Sequence, residues 1–100
     1  MAEAATGARG LLLFRSEENQ ATLVVEDLPP LESGRQYQLW LIREGQRTSG
    51  GVFSVTERGY ACQLILSPLP FTDYQALGIT VEPAGGSPGP TGQRVLGGSL

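Results

Sequence analysis

From Gly10 onward, apolar runs of five to eight residues, rich in Leu, Val, Ile, Phe and Tyr, alternate with short turn clusters: SEEN, LPPLESG, REGQ, TERG and SPLPFTD. Short runs punctuated this regularly are the pattern of an all-β chain. They predict seven strands, at Gly10 to Arg15, Ala21 to Asp27, Gln36 to Ile42, Gly50 to Val55, Tyr60 to Leu66, Leu77 to Glu82 and Arg94 to Ser99. Period-two alternation assigns faces to several of them. Leu23 and Val25 share a half-buried face, as do Tyr60, Cys62, Leu64 and Leu66. Leu77, Ile79 and Val81 share another, with Gly78, Thr80 and Glu82 opposite. In YQLWLI both faces are apolar, Tyr37, Leu39 and Leu41 on one and Trp40 and Ile42 on the other beside Gln38, which places this strand centrally in a sheet.

No segment sustains a 3.6-residue period. The nearest helix signal is a short turn around Leu69 to Gln75 that Thr72 or Asp73 would cap. REGQ supplies Gly45 for a tight hairpin, so the strands on either side of it pair antiparallel. Seven short strands with two apolar faces to cover predict a small antiparallel β-sandwich, immunoglobulin-like or a partly open barrel. Residues 1 to 8 read as a leader or juxtamembrane remnant, and 9 to 100 as a single domain.

Composition narrows the chemistry. With 40% hydrophobic and 17% charged residues the chain has the material of a globular domain of its 100-residue length. A net charge of −3, with seven Arg, no Lys and no basic cluster, excludes nucleic acid as a partner. The absence of His removes the usual general base and zinc ligand, and with them Ser/His/Asp hydrolysis. One cysteine makes neither a disulfide nor a CxxC metal site. The longest apolar run, Leu11 to Phe14, is far short of the ~18 residues that span a bilayer, and the first ten residues lack a signal-peptide core.

The stretch VEPAGGSPGPTG, Val81 to Gly92, invites a functional reading. A phosphate loop needs a following helix and a Gly-Lys-Ser/Thr step, and this one has no Lys and precedes a strand-like VLGGSL. Two prolines make it too stiff for a slack linker. Glu82 and Asp73 are its nearest carboxylates, and a pair with split pKa values would run acid–base chemistry. The plainer reading, favoured here, keeps Glu82 as a strand-end carboxylate in solvent or bonded to amides of the Gly85-Gly86 turn. Cys62 would need a neighbouring base or cation to act as a nucleophile, and its alternation partners make it a core residue. Trp40 and Tyr37 would line a sugar or peptide groove, but mid-strand aromatics are more often core. Arg35, Arg43, Arg47 and Arg58 stand at turns as solvated edges. No catalytic residue, metal ligand or cofactor site is expected.

Two segments carry a resemblance. LPPLESGRQYQLWLIREGQRTSGGVF (Leu28 to Phe53) and ITVEPAGGSPGPTGQRVL (Ile79 to Leu96) are similar, in order and separation, to the signatures of the anti-sigma-K factor RskA-type C-terminal domain; the likeness runs from about Ala8 to Leu100. The resemblance implies a non-catalytic, sensory or protective β-sandwich domain on the extracytoplasmic side of a bacterial single-pass membrane protein. In the family a cytoplasmic segment silences an extracytoplasmic-function sigma factor until membrane proteases release it. These 100 residues hold no counterpart of that segment, its zinc motif or the membrane helix, so the chain is expected to be an excised outer domain or a stand-alone relative. The resemblance further implies a structural loop built on Pro83, Gly85, Gly86, Pro88, Pro90 and Gly92, with Glu82 and Ser87 as internal acceptors and Thr91 closing it. Tyr37, Gln38, Leu39 and Trp40 form the signature strand. The alternative is a cell-surface or secreted module for polysaccharide or peptide.

Overall fold

A computed structural model describes residues 7–15 and 17–100. The seven expected strands form: β1 Arg9–Phe14, β2 Gln20–Glu26, β3 Arg35–Arg43, β4 Gln46–Phe53, β5 Ala61–Leu66, β6 Ala76–Pro83 and β7 Arg94–Ser99. All neighbours pair antiparallel, in one sheet ordered β1-β2-β5 and another ordered β4-β3-β6-β7. The sheets face each other as a sandwich and do not close into a barrel. Most of residues 1 to 8, expected to be a leader, lie outside the described residues; Ala8 is buried in the core.

The REGQ hairpin is tighter than expected. Arg43 pairs with Gln46, so β4 starts four residues before the predicted Gly50. Glu44 and Gly45 alone make the turn, with φ of 51° and 79°. Positive φ at both central residues matches the right-handed twist of the flanking strands, and glycine adopts it without steric cost.

Leu23 and Val25 of β2, Tyr37, Leu39 and Leu41 of β3 and Leu77 and Ile79 of β6 meet in the core with Leu28, Phe53, Ile65, Phe71 and Leu96. The ring of Tyr37 stacks on Phe53 at 5.7 Å, and its hydroxyl donates to the Pro29 carbonyl. Between β5 and β6 lies the expected short turn, a 3-10 helix at Phe71–Asp73. Neither Thr72 nor Asp73 caps it; Pro70 holds the N-cap position without a side-chain hydrogen bond. Burial of Phe71, against Phe14 at 5.3 Å, anchors this turn in place of a cap.

One face assignment is reversed. In an antiparallel pair, residues directly opposite share a face. Val25 and Ala21 point inward, so their partners Ala61 and Ile65 do as well, and Cys62, Leu64 and Leu66 point outward beside Val24, Thr22 and Gln20. Alternation within β5 marks its richer apolar face, but pairing with β2 turns that face to solvent. Cys62 is accordingly an exposed cysteine and not a core one. No helix among the described residues is long and apolar enough to cross a membrane.

Candidate functional site

The outer face of the four-stranded sheet is made by Gln36, Gln38, Trp40 and Ile42 of β3 and Gly78, Thr80 and Glu82 of β6, with Gln38 opposite Thr80 and Gln36 opposite Glu82. A sheet face carrying both a tryptophan and a carboxylate needs a cover that also supplies hydrogen bonds. Residues 84–93, the connection from β6 to β7, provide it. Trp40, Gln38, Thr80 and Glu82 are all at least 96% buried beneath or beside this loop.

The loop is held from two strands. On the β3 side, Gly85 N–H donates to Gln36 Oε1 at 2.9 Å and Ser87 N–H to Gln38 Oε1 at 2.9 Å. Gln38 Nε2 in turn donates to the Ser87 carbonyl at 3.2 Å and to Ser49 Oγ at 2.7 Å. On the β6 side everything converges on Glu82. Its carboxylate accepts from the hydroxyls of Thr80 (2.6 Å), Ser87 (2.9 Å) and Thr91, and from the amides of Thr91 (3.0 Å) and Gly92 (3.2 Å). Trp40 Nε1–H donates to Thr80 Oγ1 at 2.8 Å, so Thr80 relays the indole to the carboxylate.

Burial alone pushes the Glu82 carboxyl pKa up. Hydrogen bonds from the Thr80 and Thr91 hydroxyls and the Thr91 and Gly92 amides outweigh it and hold the value at about 2. Glu82 is thus an anion at neutral pH with its lone pairs engaged. The glycine- and proline-rich loop does cradle an anion, as glycine-rich loops do, but the anion is supplied by its own chain. Gly92 is there for approach: a Cβ on it would lie 1.7 Å from the Val81 carbonyl oxygen.

The expected loop residues therefore come together, with two changes of partner. Glu82 bonds the amides of Thr91 and Gly92, not those of Gly85 and Gly86, because Gly85 N–H is taken by Gln36 and Gly86 N–H by the Pro83 carbonyl (2.9 Å). Ser87 is an acceptor only through its carbonyl, while its hydroxyl donates. Asp73 is not part of the site. It precedes β6, whereas Glu82 lies six residues beyond the strand's start at Ala76, a span of about 20 Å. Trp40 and Tyr37 are each 1% exposed, Trp40 under the loop and Tyr37 in the core. Arg35 pairs with Glu32 at 3.2 Å, and Arg43 and Arg58 are exposed at strand and turn ends.

The sequence put Thr80 on one face of its strand with Gly78 and Glu82 but gave it no role. Its signal was the small and polar outward face of β6 beside a buried Trp N–H that requires a partner. Next to the loop, a cleft of about 370 Å³ is lined by Trp40 and Thr80 with Arg47, Pro90, Gly92 and Arg94, and the Arg94 chain lies across Gly78 and Gly97. No group among the described residues could hold a metal ion.

Fold and site together define a two-layer antiparallel sandwich in which a buried carboxylate ties one long loop across an outer sheet face. The chain matches the family model described as anti-sigma-K factor RskA, C-terminal, over residues 1–94. It is 33% identical over 85 residues to the anti-sigma-K factor RskA of Mycolicibacterium vanbaalenii, covering 85% of this chain and 35% of that protein. To the RskA of Mycobacterium ulcerans it is 34% identical over 86 residues, covering 86% of this chain and 36% of the other. A Streptomyces griseus protein described as an uncharacterized protein in the phr 5′ region is 35% identical over 89 residues, covering 89% of this chain and 36% of its own length. No solved structure matches. The chain belongs to the anti-sigma-K factor RskA C-terminal family, and it spans about a third of the length of the curated relatives it matches.

Proposed function

We propose that this sandwich is the outer, non-catalytic domain of a bacterial single-pass anti-sigma factor, and that its folded state shields the tethering segment from membrane proteases. In this reading the domain lies on the extracytoplasmic side and a cytoplasmic segment of the same protein binds an extracytoplasmic-function sigma factor. The observation that carries it is the use made of the family's signature loop. Glu82, Ser87, Thr91 and Gly92 satisfy one another, so the loop serves to hold a fold shut and offers no free reactive group. A ligand that favoured the closed form would slow local opening and thereby cleavage.

The test is proteolysis of the domain tethered to its membrane segment. Deleting the domain, or loosening it with Glu82→Gln, is expected to speed cleavage several-fold; equal rates with the domain present and absent would end the shielding reading. A surface module that stacks a sugar or peptide on Trp40 or Tyr37 fits less well, since neither ring is accessible.

A further inference from the structure

On the outer face of the four-stranded sheet, β6 and β7 share a rung without side chains. Gly78 stands opposite Gly97, and both are buried. Arg94 starts on the rung with Thr80 and lies across this bare one, where a Cβ on either glycine would come 3.4 Å from its Cδ. The missing side chains leave the sheet concave here and form the floor of the cleft of about 370 Å³ beside the loop. A second arginine enters from β4. Arg47 pairs with Ile42 and therefore points to the same outer face. Arg47 and Arg94 thus reach one cleft from β4 and β7, the two edge strands of the sheet.

We propose that this cleft binds a small organic anion, its phosphate or carboxylate group gripped between the guanidiniums of Arg47 and Arg94 and its carbon body against Ile42 and Pro90. The lining holds no Asp or Glu, although the chain has ten of them and a net charge of −3, so the positive character is local to this site. Glu82 does not line the cleft, and its single charge, already bonded by its own loop, is outnumbered by the two guanidiniums. The other donors of the lining are engaged: Trp40 Nε1–H with Thr80, and the Thr80 hydroxyl and Gly92 amide with Glu82. What a ligand meets is therefore guanidinium. Each has five N–H donors and no acceptor, so a contact of Arg94 within the protein leaves it others to offer. Arg9 and Arg35 pair with carboxylates, whereas Arg47 forms no ion pair among the described residues. Planar forks of this kind match the paired oxygens of a carboxylate or phosphate. The volume is at the small end of ligand sites, which suits a single small molecule and not a polymer. The inference is independent of the shielding role.

The experiment is titration of the isotope-labelled chain with phenyl phosphate, with benzoate and with the uncharged benzyl alcohol, read by NMR shifts and by the fluorescence of Trp40. At least one of the two anions is expected to bind with a Kd of about 1 mM or tighter, shifting Trp40 Nε1–H and the amides of Gly78, Gly92 and Arg94, while the alcohol does not bind. The tighter of the two names the anionic group. Arg47→Gln, at an exposed position on an edge strand, and Arg94→Gln should each weaken binding roughly tenfold with the remaining amide spectrum kept. Arg58→Gln removes the same charge from a turn outside the cleft and should leave the affinity unchanged. No saturable binding of either anion below about 20 mM overturns the proposal. So do equal binding of benzyl alcohol, shifts that fall away from the cleft, or the same loss from Arg58→Gln as from Arg47→Gln.

Discussion

Glu82 concentrates the stability of the loop in one side chain. With a folded pKa of about 2 against an ordinary 4.5, its contribution is fully present above pH ~4.5 and is lost as the pH falls toward 2, because protonation removes the acceptor its donors need. Glu82→Gln keeps the shape but turns an amide group toward donors, and should cost about 2–4 kcal/mol at pH 7. Urea midpoints at pH 7 and pH 3 check both claims, since the gap between wild type and variant should shrink at the lower pH. Gly92→Ala should cost a comparable ~2–4 kcal/mol, because the added methyl meets a backbone carbonyl that cannot swing aside. Part of this was legible: Glu82 at a strand end before a Gly-Gly turn reads as a local acceptor. That its amide donors lie nine and ten residues away, and that Thr80 bridges it to Trp40, depends on where the loop folds back, which no local pattern encodes.

At the scale of the strand, periodicity gave existence and approximate bounds, because β-branched and aromatic runs between Gly, Pro and Asp clusters have few alternatives. Phase was less secure. In β5 the outward residues are the larger apolar ones, so only the pairing of Val25 with Ala61 reveals which side is in. Ile65→Ala should therefore cost about 2–5 kcal/mol, and Leu64→Ala less than about 1 kcal/mol, although the strand's own alternation ranks them the other way. Chemical denaturation followed by the fluorescence of the single tryptophan, Trp40, distinguishes the two. The two-residue turn at Glu44-Gly45 was signalled by its glycine, but its tightness follows from the twist the paired strands impose.

Across the whole molecule, the pairings that matter join distant parts of the chain. β2 meets β5 and β3 meets β6, each across about forty residues, while the β1–β2 pair and, most tightly, the β3–β4 hairpin are local. Topology of this kind folds slowly, so refolding from urea should be a single phase in the millisecond-to-second range, read from Trp40 in stopped flow. The hairpin is expected to form first, with the loop over Trp40 completed last, since its donors have nothing to bond until β6 is in place. The first and last strands sit at sheet edges: β1 has a neighbour only in β2, and β7 only in β6. That placement gives the sandwich a mechanical polarity. A pull on the chain ahead of Arg9, directed away from its sheet, loads the β1–β2 rungs one after another from the Arg9–Glu26 rung onward, so β1 peels off at low force while the sheet stitched by Glu82 keeps its shape.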